Sequence, residues 1–409
     1  MRRLPLVLLT ILSAFQFVAS ASGQTTTSVC PPSSNNLYCM PILSTEAVKV
    51  IPAGSANNVV QKGFVPVTSA IGTQLSTLPT PTPTSGLIFA FGPGGLTTER
   101  ELGPIFSDAP WTVGRHKWYL AFAYQFFEFD KIDDVSFQHL PLELRGCLAT
   151  SGTCGVTPIQ TNSQYSVKLN EYTAYASFGI TDRVDVSVAI PIVDVKSGIT
   201  TTCSQCFQQI GTNISLVFIS NTAQGSSSGI GDMIIRMKDN VVKDERFGLA
   251  VGFDLRAPTG DSYNFRGAGA PGARPFVALG YRARFSPHLN VGFLVNGNSI
   301  LASQDGVTRA QLPNSLDYSA GADFSVAKWL SLSGDLLGQT FFDAGTVAIN
   351  ASGSALHAST QTFNTNTVAL GFKSIPIKRL LISGNVLIKV DNNGLHYKPS
   401  PMVGISYTF

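Results

Sequence analysis

His357 and Ser359 stand one residue apart, with Asn364 and Asn366 following. A serine with a histidine base in hydrogen-bond reach is a nucleophile suited to ester hydrolysis. Here Thr360 and Gln361 follow the serine, which breaks the expected continuation, and alternate positions in a loop need not face each other. Six cysteines fall into three close pairs, Cys30/Cys39, Cys147/Cys154 and Cys203/Cys206. In an exported chain such pairs read as local disulfides. The alternative for Cys203–Cys206 is a redox or metal pair, but no second ligand pair accompanies it. Residues 267–272 match G-x-G-x-x-G by letters, with Pro271 inside and no helix after it. That points to a flexible external loop rather than a phosphate cradle. The remaining histidines, His116, His139, His288 and His396, have no clustered ligands and read as turn, loop or interface residues. No cofactor is implied.

The elements that must position these residues begin with an address. Arg2 and Arg3 precede an apolar run from Leu4 to Ala19, and Ala19-Ser20-Ala21 is a small-x-small cleavage pattern. This predicts a signal peptide over residues 1–23. No later run approaches about 20 continuous apolar residues, so no membrane-spanning helix is expected. Charged residues make up only 13% of the 409, and the net charge is +3. That is little charge for a secreted soluble surface and too little to imply nucleic acid. Residues 24–85 are rich in Thr, Ser, Pro and Asn and read as a poorly ordered linker. Residues 86–115 show no period and read as an N-terminal segment able to plug a larger body.

Over residues 116–409 about twelve runs alternate with period two. The first carries Trp118, Leu120, Phe122, Tyr124 and Phe126 on one face; the last carries Val403, Ile405, Tyr407 and Phe409. Short turns, such as Thr181-Asp182-Arg183 and Ser286-Pro287-His288, alternate with long polar connections. An all-β, antiparallel up-and-down transmembrane barrel has this pattern. Its location would be the bacterial outer membrane, with lipid as one partner. Aromatic residues near the short-turn ends, among them Trp118, Phe285, Phe324, Trp329 and Phe372, fit an interfacial girdle. The final strand must pair with the first, because an open edge cannot face lipid. Its ending in Tyr407 and Phe409 also resembles the signature read by the barrel-insertion machinery of bacterial outer membranes.

Charge sorts by face. None of the apolar-face positions is charged, whereas the opposite faces carry Lys117, Glu171, Asp185, Asp232, Lys373 and the candidate solute-contacting residues. Those candidates are Arg236, Lys238, Asp254, Arg256, Arg282, Arg284, Asp317, Asp323, Asp335 and Lys389. A Lys or Arg facing lipid at mid-bilayer costs about 2–4 kcal/mol, so these faces belong to the lumen. Arg236, Lys238, Arg282 and Arg284 are expected near the periplasmic ends of their strands, with Asp254 and Arg256 toward the external end. They could form a basic track for an anionic solute such as an aromatic carboxylate. The alternative is a set of salt bridges that brace a narrow barrel.

Two stretches go further. FGPGGLTTERELGPIFSDAPWTVGRHKWYLAFAYQFFEFDKIDD, from Phe91 to Asp134, resembles the start of a barrel family named for transport in the phenol meta-degradation pathway. Phe178 to Asp194, FGITDRVDVSVAIPIVD, is similar to the matching second hairpin. The resemblance implies an outer-membrane channel for small, aromatic or hydrophobic solutes. A structural or adhesive barrel without transport is the other class to weigh, and an outer-membrane phospholipase built on His357 and Ser359 a third.

Overall fold

Strict alternation puts every second side chain on one side of a pleated strand, so a long alternating run can satisfy lipid and lumen together. The computed structural model describes residues 30, 34–47, 57–82, 89–92, 95–98, 104–147, 156–210, 213–244, 246–303, 308–353, 355–377 and 380–408. The expected signal peptide, Cys154 and Phe409 lie outside them. Twelve described strands close an antiparallel barrel. They are β1 (Trp118–Ile132), β2 (Val156–Gly179), β3 (Val184–Ile210), β4 (Met233–Lys243), β5 (Phe247–Ala257) and β6 (Gly272–Tyr281). The second half is β7 (Phe285–Asn296), β8 (Ser315–Ala327), β9 (Leu330–Ile349), β10 (Leu356–Ile377), β11 (Leu380–Lys389) and β12 (Ser400–Thr408).

Closure is made by β12 on β1, with Val403 opposite Tyr124 and Tyr407 opposite Leu120. The backbone groups of these two edges thereby pair with each other, which the bilayer core demands. Outward positions such as Phe122, Ile235, Phe253, Val291, Leu336, Leu370 and Ile405 are exposed, and none of them is charged. An apolar belt of this extent is stable only against lipid. Trp118, Phe285, Phe324, Trp329 and Phe372 sit exposed at the short-turn end, as expected for the girdle.

Several expectations change. The turn between β6 and β7 is at residues 282–284, not at Ser286-Pro287-His288. Leu279 pairs with Leu289 and Gly280 with His288, so Ser286 and His288 belong to a lumen-facing strand. The long connections are partly strand: β2 and β3 pair as far out as Thr161 and Cys203, well above the belt. A further strand, Asn213–Ile230, folds back on β3 as an outer arm.

The described residues within 24–85 also depart from an irregular linker. They contain α1 (Met40–Ala47) and α2 (Asn57–Leu75). Phe64, Val67, Ile71 and Leu75 repeat at helical spacing, and this stripe is buried with Phe265, Leu301, Val347 and Leu395 from the external loops and strand extensions. A core of this kind supplies the order that the composition alone does not suggest. The Gly267–Gly272 loop belongs to the same core: Ala268 and Ala270 are fully buried, and Asp232 accepts hydrogen bonds from the Gly260 and Ala268 amides (2.9 and 2.7 Å). It is packed rather than flexible.

Candidate functional site

The lumen site is built from three inward-facing rows and one segment that is not part of the wall. On β4, Arg236 lies directly opposite Asp254 of β5, and Asp254 lies opposite Arg274 of β6. Arg236 is therefore level with Asp254 rather than nearer the periplasm. Its Nε and Nη2 donate to Asp254 Oδ1 and Oδ2 (2.6 and 2.8 Å). Arg274 donates from Nε and Nη2 to Asp254 Oδ2 (3.0 and 2.8 Å), and its Nη1 is 3.7 Å from Asp317. Both guanidiniums stack on the Phe276 ring, at 4.8 and 5.2 Å from its centroid. A planar cation held by a bidentate carboxylate and a ring face keeps a fixed orientation.

Glycines make the space. A Cβ at Gly252 would run into the Phe276 ring, and one at Gly338 into the Tyr318 ring. Each ring lies over the neighbouring strand because that strand carries no side chain there. The result is a cavity of about 290 Å³ lined by Phe106, Tyr175, Phe276, Tyr318, Phe341 and Tyr397 and by seven charged side chains. Four of those are cationic (Arg236, Arg256, Arg274, Lys389) and three anionic (Asp108, Asp254, Asp317). Arg256 donates to Asn296 Oδ1 (2.7 Å), and Lys389 Nζ lies 3.3 Å from Asp391.

Two stretches that precede the barrel, one from residues 24–85 and one from the N-terminal segment 86–115, enter this cavity. Residues 76–82, beyond α2, line it, and Gln125 Nε2 donates to the Pro79 carbonyl (3.2 Å). Residues 104–113 run beside that stretch, with Thr82 donating from its amide to the Ile105 carbonyl (3.1 Å) and from Oγ1 to the Ser107 carbonyl (3.2 Å). Ser107 Oγ, with one proton to share between them, lies 2.8 Å from Ser319 Oγ and 3.0 Å from Asp335 Oδ1. Asp108 accepts a hydrogen bond from Arg236 Nη1. Lys238 Nζ donates to the Ala109 and Trp111 carbonyls (2.8 and 2.9 Å), and Asp185 accepts from the Val113 amide (2.7 Å). Arg282 stacks 4.0 Å over the Trp111 ring. Arg284, in the turn, faces outward against Phe324. The four basic residues expected as a track are thus each engaged, three of them on the N-terminal segment.

Below this layer, His288 hydrogen-bonds Asp335 (2.5 Å) and lies 3.6 Å from Asp323, all three buried. His288 is therefore a lumen residue rather than a turn residue. Ser359 Oγ is held by Thr346 Oγ1 (2.9 Å) and Gln361 Nε2 (3.3 Å), on the extension of β10 outside the barrel's chamber. Cys30 and Cys39 form a disulfide, and Cys203 is disulfide-bonded as well. The side chains of Cys147 and Cys206 lie outside the described set. Arg274 and Asp108 were not among the expected site residues. Arg274 is in phase with Phe276 and Ala278, which could have revealed it; Asp108 sits in a stretch with no period.

A closed twelve-stranded barrel with an uncharged apolar belt and a charged lumen is an outer-membrane β-barrel. The model of the family described as "Putative MetA-pathway of phenol degradation" matches residues 150–372, more than half of the chain, and the chain belongs to that family. No curated protein matches it. Among solved structures it is similar to the COG4313 outer membrane channel from Pseudomonas putida F1, at 11% identity and a TM-score of 0.44, over 76% of this chain and 100% of that one. The CymD monoaromatic hydrocarbon channel matches at 7% identity and a TM-score of 0.34, over 72% and 88% of the two chains. For the NanC porin the values are 8% and 0.37, over 71% and 98%.

Proposed function

We propose that this protein is an outer-membrane channel through which small, aromatic or hydrophobic solutes diffuse passively. The observation that carries this reading is the cavity of about 290 Å³, walled by aromatic rings and by charges of both signs and bounded by the N-terminal segment. A single aromatic ring is accommodated by a cavity of about 150 Å³, so a monocyclic solute with a polar substituent suits this chamber. The segment threaded through the lumen acts as a plug that makes passage selective. Bilayer lipid and the machinery that inserts barrels are the other partners, the latter reading the strand that ends in Tyr407 and Phe409. Catalysis is not assigned to His357 and Ser359, since the serine hydroxyl is held by Thr346 and Gln361.

The test is solute entry into liposomes carrying the refolded protein, comparing phenol-derived carboxylates with a sugar of similar size. Faster entry of the aromatic solute is expected. Equal entry would make the barrel a general pore. Entry of neither solute would sink the transport reading and leave a structural or adhesive barrel.

A further inference from the structure

Among the described residues, Asp108 is the one carboxylate of the arginine cluster that the barrel wall does not supply. The wall orients Arg236 and Arg274 by itself, through Asp254 and the Phe276 ring. Arg236 Nη1 then points to the lumen, and the acceptor it meets is Asp108, with Arg274 Nη2 4.0 Å from the same carboxylate. The backbone carbonyl of Asp108 accepts a further hydrogen bond from Asn290 Nδ2 (3.1 Å). Two residues earlier, Phe106 is buried and lines the same cavity. The segment thus presents one aromatic ring and one carboxylate to a preorganised wall.

We propose that Phe106-Ser107-Asp108 is a built-in pseudo-ligand, occupying a receptor for monocyclic aromatic carboxylates that such a solute must displace in order to pass. The inference rests on the channel reading and names its solute class. Without Asp108, a buried guanidinium N–H aimed at the chamber lacks its acceptor, and an incoming carboxylate restores a charge-assisted hydrogen bond. The carboxylate geometry is the one that Asp108 already satisfies. An aryl group would take the volume that Phe106 fills, in the cavity it lines with Tyr318 and Phe341. Ser107, bonded to Ser319 and Asp335, holds the segment in place while the ligand position is contested.

A ligand that competes with a tethered occupant has its affinity lowered by the fraction of time the site is free. The experiment is calorimetric titration of benzoate into the full-length protein in detergent, for the wild type, Asp108→Asn and Ser107→Ala. Cyclohexanecarboxylate and acetate serve as comparison ligands. Asp108→Asn should tighten benzoate binding at least about tenfold, and Ser107→Ala should tighten it by less. Adding Arg274→Gln to Asp108→Asn should cancel the gain. Benzoate should gain more than acetate, which lacks the ring.

A gain of binding cannot come from misfolding, and Ser107→Ala keeps the test alive if Asp108→Asn does not fold. Unchanged or weaker benzoate binding in whichever of the two variants folds overturns the proposal. Equal gains for acetate and benzoate overturn its aromatic half. Liposome entry of benzoate, measured in parallel, separates the two levels. Tighter binding with no entry in any variant leaves the receptor standing and removes the channel. Entry without any change in binding does the reverse.

Discussion

Replacing Leu370 by Arg tests the assignment of inside and outside at one position. Leu370 is an outward residue of β10, paired with Gly334 of β9 and Val386 of β11. Gly334 lies four residues beyond the short-turn end of β9 at Leu330, and Val386 six beyond Leu380. At about 3.3 Å per residue and a strand tilt near 40°, four to six residues climb roughly 10–15 Å along the membrane normal. An apolar band about 25 Å tall has its midplane near that height. The expected cost of Leu370→Arg is therefore about 2–4 kcal/mol, the midplane value. Thr365, on the same strand with the opposite parity, lines the cavity. Thr365→Arg should stay within about 1 kcal/mol of the wild type, since its charge remains hydrated or paired. Equilibrium unfolding from lipid vesicles in denaturant measures both. Equal costs for the two variants, or no cost for Leu370→Arg, would refute the placement of the belt.

Two further outcomes follow from the external end. Asp133 accepts hydrogen bonds from the Val347 and Gly394 amides (2.7 and 2.8 Å), yet burial pushes its carboxyl above the ordinary value. A folded value above the unfolded one gives a contribution that is full below the ordinary carboxylate range and lost as pH rises through the folded value. The melting temperature of the wild type minus that of Asp133→Asn should therefore fall as pH is raised from about 3 to 6; a difference that does not change with pH contradicts this. The Cys30–Cys39 bridge closes a short loop beside α1, whose Ser44 carbonyl accepts a hydrogen bond from Asn221 on the outer arm (3.1 Å). Cys39→Ser should loosen α1 by about 2–3 kcal/mol and speed amide exchange over residues 40–47, while protection of β7 and β8 stays as it was. Faster exchange in β7 and β8 alongside α1 would mean that the bridge acts on the barrel as a whole.

How much could be read along the chain follows from the range of the forces. Period-two alternation is a local property, because each residue's face depends only on the parity of its neighbours. The twelve strands, the uncharged belt and the closure of β12 on β1 were therefore legible. So was the inward side of Arg236, Asp254, Asp317, Asp323, Asp335 and Lys389. The level of Arg236 was not, since register between β4 and β5 is set by hairpin geometry and by pairing across the sheet. Composition hid α2: Pro66 and the Thr and Ser around it mask Phe64, Val67, Ile71 and Leu75, whose spacing is helical. The helix is held by loops distant in sequence, around Phe265, Leu301 and Leu395.

A barrel with lipid outside and charge inside is written in the order of the residues, since moving charge into lipid is prohibitive one residue at a time. That its lumen is filled, rather than an empty charged tube, is a product of folding. Asp108 comes from a segment without period, and nothing local to it marks Arg236 as its partner 128 positions on. That pairing exists because the closed wall fixes two guanidiniums and leaves a donor facing inward, and the chain's own N-terminal segment supplies the carboxylate.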